Sequence, residues 1–167
     1  MRAIVSVTRG WGIGRHNGLV VPNASDLHRF RELTFGGTVI CGRKTYEGLP
    51  KRPLDGRRNI VLSASEGFSA RGAEVARSVE DVLQMVGKED PQEVWVIGGA
   101  KVYEQLLPHC DHALVTWHEC ERDADAFFPD LDALDDWVLC EEVPVGVTNE
   151  GVPYAYRTYA TLGNHPS

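Results

Sequence analysis

Val94-Trp95-Val96-Ile97-Gly98-Gly99-Ala100-Lys101-Val102-Tyr103-Glu104-Gln105-Leu106 is the stretch that decides the fold. Its apolar opening reads as a buried strand, its paired glycines as a tight turn, and the rest as a helix entered without a linker. A strand that turns directly into a helix is the building unit of a parallel sheet. The same junction lets backbone N–H groups approach a phosphate, whose charge the helix N-terminus favours. Taken alone, the glycine pair fits a turn that merely needs small residues better than it fits a phosphate cradle. The rest of the chain has to choose.

Working outward, the pattern repeats. Thr38–Cys41 is an apolar strand that ends at Gly42 and leads into a helical segment, Arg43–Leu49. Ala3–Val7 is a strand, followed by Gly10-Trp11-Gly12-Ile13-Gly14 and His16-Asn17-Gly18, which read as a long flexible loop. Ser25 is placed to cap a helix beginning near Asp26, with Leu27, Phe30 and Leu33 or Thr34 at helical spacing. Asn59–Ser63 and Ala73–Ala76 are strands, and Ser78 with Asp81 forms a capping box for a helix through Val86. The Lys101–Leu107 helix and the His112–His118 strand follow. Trp137–Val143 and Tyr154–Thr161 are strands joined by Gly, Pro and Asn residues, with no helix between them. Alternation therefore predicts an α/β fold: one domain over residues 1–167, with a mostly parallel central sheet, helices on both faces and an antiparallel C-terminal edge pair. The last few residues (about six) read as a flexible tail. Ligands of such sheets bind beyond the carboxyl ends of the strands, so the loops after Val7, Cys41, Ser63 and Ile97 should line one cleft.

Composition narrows the classes. The 167 residues are 43% hydrophobic and 25% charged, enough for a core without staples. A net charge of −7 argues against nucleic acid, although local cations can still hold a small anion. Cys41, Cys110, Cys120 and Cys140 have no metal-ligand spacing and read as free thiols of a reducing compartment. His16, His28, His109, His112, His118 and His165 are scattered, so no metal site is expected. The N-terminal apolar run is too short for a signal peptide and no run is long enough to span a bilayer. The expectation is a cytoplasmic monomer with no membrane partner.

Several residues could carry chemistry. Gly42 is followed by Arg43-Lys44-Thr45, two cations and a hydroxyl in a first helical turn. Cations there oppose the helix dipole at roughly 0.3–1 kcal/mol each, a penalty that a bound anion would reverse. A solvated basic turn is the competing reading. With Gly98-Gly99 as a second cradle, the two loops suit a pyrophosphate plus an extra phosphate, which favours NADP over NAD. Asp26 has two readings of equal weight: a carboxylate stabilising the start of a helix, or one turned into an apolar cleft beside Leu27 and Phe30. Desolvation in the cleft would raise its pKa and suit it to proton transfer near neutral pH. No second carboxylate lies nearby for a two-acid hydrolysis, and no G-x-S-x-G or Cys–His pairing appears. The cations of Lys51-Arg52-Pro53-Leu54-Asp55-Gly56-Arg57-Arg58 form either a solvated loop or a fork for a substrate carboxylate.

In order along the chain stand Ile13-Gly14, Ser25-Asp26-Leu27-x-x-Phe30 and Gly42-Arg43-Lys44-Thr45-Tyr46-Glu47. Arg52-Pro53-Leu54-x-Gly56-Arg57-Arg58-Asn59-Ile60-Val61-Leu62-Ser63, Ile97-Gly98-Gly99-Ala100-Lys101-Val102-Tyr103 and Asp125-x-x-Phe128-Pro129-Asp130 complete the set. Together they resemble the dihydrofolate reductases over nearly the whole chain. The resemblance implies a dihydrofolate reductase-like fold and NADPH-dependent hydride transfer to 7,8-dihydrofolate, with antifolate inhibitors as further ligands. It implies that Asp26, supported by Thr116 through the pterin amino group, promotes protonation of the substrate. Ile4, Val5, Leu27, Phe30 and Ile97 would wall the pterin pocket. Arg57 would bind the glutamate α-carboxylate, with Leu49 and Leu54 packed on the aromatic linker. Arg43, Lys44 and Thr45 would meet cofactor phosphates, as would Gly98, Gly99, Ala100 and Lys101, with Tyr103 beside the nicotinamide. Ser6, Ile13, Gly14, Leu19, Gly42, Leu62, Ser63, Ala64, Arg77 and Val102 complete the implied cofactor site.

The chain departs from that family at Leu19-Val20-Val21-Pro22, where Leu-Pro-Trp is usual. Valine has no N–H with which to hold a water beside the substrate. Ala64 stands where a polar residue often meets the adenosine phosphate, which leaves that task to Arg43 and Lys44, aided by Arg77. Two alternatives follow: a non-catalytic NADPH- or folate-binding paralogue, motivated by the lost tryptophan, and a pyrimidine reductase of riboflavin synthesis. Asp26 with Arg57 argues against the second, whose ribityl phosphate substrate has no glutamate carboxylate to clamp.

Overall fold

The computed structural model describes residues 1–16 and 18–164; Asn17, His165 and the end of the expected tail lie outside the described residues. The strands are β1 (Arg2–Val7), β2 (Gly12–Arg15), β3 (Gly18–Leu19), β4 (Thr38–Gly42), β5 (Arg58–Leu62), β6 (Glu74–Ala76), β7 (Val94–Gly98), β8 (His112–His118), β9 (Ala126–Phe127), β10 (Trp137–Val147) and β11 (Pro153–Thr161). The helices are α1 (Ala24–Thr34), α2 (Arg43–Glu47), α3 (Val79–Val86) and α4 (Ala100–Leu106).

The large sheet has eight strands in the order β10-β11-β8-β1-β7-β4-β5-β6. From β8 to β6 every neighbouring pair is parallel, while β11 runs antiparallel to both β8 and β10. That is the expected parallel sheet with an antiparallel edge pair. β1 shows why the sheet is covered on both sides. Its alternate residues Ala3, Val5 and Val7 pack into one core with Val82 of α3 and Leu106 of α4, whereas Ile4 packs into another with Phe30 and Leu33 of α1.

Three expectations are corrected. The glycine-rich segment after β1 is not simply a flexible loop, because β2 pairs with β3 and β9 in a separate three-stranded antiparallel sheet. The two-residue strands are too short to show a period of two in the sequence. Second, α1 is capped by Asn23 rather than Ser25: the Asn23 side chain accepts from the Asp26 N–H at 3.1 Å, which starts the helix earlier. Third, β10 runs on to Val147, past Pro144 and Gly146, with register irregularities at Leu139/Glu141 and Pro144/Gly146. An edge strand tolerates such residues because one of its sides needs no ladder partner. The Ser78 cap stands as expected, its side chain accepting from the Asp81 N–H. In the expected tail, Leu162–Asn164 form a single 3-10 turn.

Candidate active site

The carboxyl ends of β1, β4 and β7 open into a cleft of about 380 Å³. Val5 and Ser6 of β1 form its floor, Ile13, Gly14 and Leu19 of the small sheet one wall, and Lys44, Thr45 and Leu49 the opposite one. Ile97, Gly98, Gly99, Ala100 and Tyr103 close it at the β7–α4 junction. Sequence reasoning assigned no role to Gly18, Gly48, Asp125 or Ala126, which also line it. Asp125 was legible as part of a motif, and its Oδ2 accepts from the His16 N–H at 2.9 Å, fastening the small sheet over the cleft.

The junction is built for close approach. The Gly98–Gly99 peptide is cis, and Gly98 has φ +126°, a region where a side chain is strained. A Cβ on Gly99 would stand 3.2 Å from Thr45 Oγ1, so the β7–α4 and β4–α2 turns meet so closely that Thr45 would have to give way to any side chain there. Gly42 is equally confined, since a Cβ there would lie 3.0 Å from Val102 Cγ2. Neither α2 nor α4 has a side-chain cap, so N–H groups at their starts are left for another acceptor. Tyr103 is buried, and its hydroxyl donates to the Ile4 carbonyl at 2.7 Å, tying α4 to β1 beside the cleft.

Asp26, in the first turn of α1, faces Thr116 of β8, whose hydroxyl donates to Asp26 Oδ1 at 2.6 Å. Thr116 therefore contacts Asp26 directly. Burial pushes the Asp26 pKa above the usual carboxylate value, against the opposing pull of the Thr116 hydrogen bond, of His118 whenever it is protonated, and of the Arg29 charge. Ile4, Phe30, Leu54 and Ile97 lie in one apolar cluster under α1, whereas Leu27 leaves its side chain 56% exposed on the helix. Val21, at the departure from Leu-Pro-Trp, is buried.

Arg57 donates from Nε to the Asp55 carbonyl at 3.0 Å and from Nη1 to Thr34 Oγ1 at 3.2 Å. Among the described residues it makes no ion pair. Arg43 pairs with Glu47 at 2.5 Å and stacks on Phe68, facing a second cavity of about 870 Å³ that Ser65, Arg52 and Arg71 also line. Lys44 and Lys101 are exposed, and no described acidic group pairs with either.

Other expected cofactor residues take different positions. Leu62 and Val102 are core residues, and Ser63 and Ala64 follow β5 outside the cleft lining. Arg77 is occupied elsewhere. Its guanidinium donates to the carbonyls of Ser63, Ser65, Glu66 and Phe68, which makes it a staple of that loop. What sequence reasoning missed altogether is the Asn23–His118 pair, 3.1 Å between Nδ2 and Nε2, one partner of which had read as a scattered histidine.

Comparison with known proteins agrees with this architecture. A family model described as dihydrofolate reductase matches residues 1–161. The dihydrofolate reductase of Mycobacterium leprae is 40% identical over 158 residues, covering 88% of this chain and 89% of that protein. That of Neisseria meningitidis serogroup A is 37% identical over 147 residues, with the same coverages of 88% and 89%. Among solved structures, the chain is similar to a dihydrofolate reductase from Enterococcus faecalis complexed with NADP(H) and RAB-propyl. The TM-score is 0.86 at 33% identity, over 96% of this chain and 95% of that one.

Proposed function

The chain belongs to the dihydrofolate reductase family, and from that premise we propose how its own residues carry out the NADPH-dependent reduction of 7,8-dihydrofolate to 5,6,7,8-tetrahydrofolate. The observation that carries the reading is Asp26. It is a partly buried carboxyl with a raised pKa, fixed by Thr116 and set beside an apolar cluster suited to a flat aromatic ring.

The nicotinamide cofactor supplies a hydride when bound. The cleft fits such a group: Gly99 brings bare backbone close to Thr45, the start of α4 has no side-chain cap, and Lys44 has no described acidic partner. Gly98, Gly99, Ala100 and Thr45 would hold the pyrophosphate, with Lys44 and Lys101 supplying charge. Arg43 would meet the extra phosphate of NADPH once released from Glu47. Tyr103 would stand beside the nicotinamide. Asp26 would hydrogen-bond the pterin and promote protonation of its imine nitrogen, and Ile4, Val5, Leu27, Phe30 and Ile97 would exclude water around it. Leu49 and Leu54 would pack on the linker, and the Arg57 guanidinium would take the glutamate carboxylate.

Antifolates would compete for the same pocket. The enzyme would work as a cytoplasmic monomer, in a reducing compartment where its four free cysteines would stay unpaired. The pyrimidine-reductase alternative loses its footing with the family match. The test is hydride transfer in Asp26→Asn, followed as loss of cofactor absorbance across pH. The rate should fall by about a hundredfold or more at neutral pH and by much less in acid, where solvent supplies the proton. Equal rates for both proteins at both pH values would remove Asp26 from the mechanism. A folded wild type that binds NADPH without turnover would instead reveal a silent paralogue.

A further inference from the structure

We propose that His118 is a positioning residue for Asp26: it pins both stems of the cleft loop and, through Asn23, orients the first turn of α1. The inference rests on Asp26 being the group that promotes protonation.

The loop that carries β2 and β3 leaves β1 at Val7 and reaches α1 at Asn23. His118, fully buried at the end of β8, touches both points. Its Nδ1 lies 3.1 Å from the Val7 carbonyl oxygen, with Ser6 Oγ at 3.4 Å, and its Nε2 lies 3.1 Å from Asn23 Nδ2.

The donors and acceptors allow one assignment. Asn23 Oδ1 accepts from the Asp26 N–H, so the other side of the amide offers only N–H to His118. Nε2 must then be an acceptor, and the ring proton sits on Nδ1, where the Val7 carbonyl takes it. A neutral imidazole satisfies every partner. An imidazolium would set N–H against N–H at Asn23. The amide could answer only by turning over, which would give Oδ1 to His118 and take the cap away from Asp26. Protonation of His118 and the placement of the Asp26 carboxylate are thereby linked through one amide.

The groups facing His118 pull in both directions. Ser6 and Val7 come from β1, Asn23 and Asp26 from the start of α1, Tyr154 stacks from β11 at 5.7 Å, and Arg122 lies in the segment after β8. Burial lowers its pKa most and Arg122 adds to that, while the Val7 carbonyl and Asp26 oppose. Near neutral pH the ring is the uncharged pin that the geometry requires.

The test needs no variant at first: nitrogen–proton correlation spectra of the intact protein should show Nδ1 protonated and Nε2 bare. The reverse tautomer overturns the inference. Asn23→Ser then keeps an oxygen cap but loses the amide donor, and Asn23→Asp keeps the cap while setting a carboxylate against Nε2. We expect the single-turnover hydride-transfer rate in Asn23→Ser to fall about tenfold with KM for dihydrofolate little changed. In Asn23→Asp, His118 should titrate at higher pH and the acid limb of the rate profile should move with it. Rates and profiles unchanged in both variants, while Asp26→Asn remains impaired, would overturn the pin and leave the Asp26 reading standing. An unimpaired Asp26→Asn would overturn both.

Discussion

Thr116 Oγ1 donates a 2.6 Å hydrogen bond to Asp26 Oδ1, joining β8 to the first turn of α1 across 90 positions of sequence. Burial and this bond act on Asp26 in opposite directions: desolvation raises its pKa and the hydroxyl, by stabilising the anion, lowers it. Thr116→Val keeps the shape and deletes the donor. The pH midpoint of hydride transfer should therefore move upward, and the neutral-pH rate should fall by about tenfold as Asp26 loses its anchor. Single-turnover rates across pH check this, and a downward midpoint would reverse the assigned sign.

The raised pKa of Asp26 also makes a prediction about stability. The native state holds this proton more tightly than the unfolded chain does, so the carboxyl's contribution is full below the unfolded value. That contribution is lost as pH rises through the folded value. Asp26→Asn removes the buried charge and should melt higher than wild type at pH 7, with the gap closing in acid below the unfolded carboxylate range. Calorimetric melting across pH decides it, and this gain should accompany the loss of rate.

Gly98 and Gly99 should respond differently to the same added methyl. At Gly98 there is room, because the nearest atom to a Cβ is Tyr103 Cε2 at 3.5 Å, but φ is +126°. The cost lies in the backbone, about 1–3 kcal/mol. At Gly99 the obstacle is Thr45 Oγ1 at 3.2 Å, a side-chain atom that can rotate away. Gly98→Ala should therefore lower the denaturant midpoint clearly and Gly99→Ala little, whereas both should weaken NADPH binding, Gly99→Ala by filling the space beside Thr45 and Gly98→Ala by setting a methyl against Tyr103 in the cleft wall. Equilibrium unfolding and cofactor fluorescence titration separate the two effects.

The parallel sheet was legible because each strand–helix junction is marked by local residues such as Gly42 and Gly98. Asp26, Lys44 and the glycine pair could be singled out as candidates for the same reason: each stands at a marked place in the chain. What escaped notice depends on partners far apart. His118 looks like any lone histidine until folding brings Asn23 against it, 95 positions away. Arg77 errs in the other direction. A cation near a phosphate loop invites a ligand role, but four carbonyls of the Ser63–Phe68 segment already hold its N–H groups. β2, β3 and β9 stayed hidden because strands of two to four residues carry no measurable periodicity.

Arg57 is the remaining test of substrate identity. Its Nε and Nη1 are held by Asp55 and Thr34, which aims the guanidinium, while among the described residues Nη2 has no protein partner. Burial and the neighbouring Arg31 charge both lower its pKa, so the local field favours the arrival of an anion. Arg57→Leu should raise KM for dihydrofolate roughly 10- to 150-fold, the loss expected of charge-assisted hydrogen bonds, and leave kcat nearly unchanged. A dihydropterin substrate lacking the glutamate should bind wild type and variant alike. Equal losses on both substrates would mean that Arg57 supports the loop through Thr34 and Asp55 and takes no carboxylate.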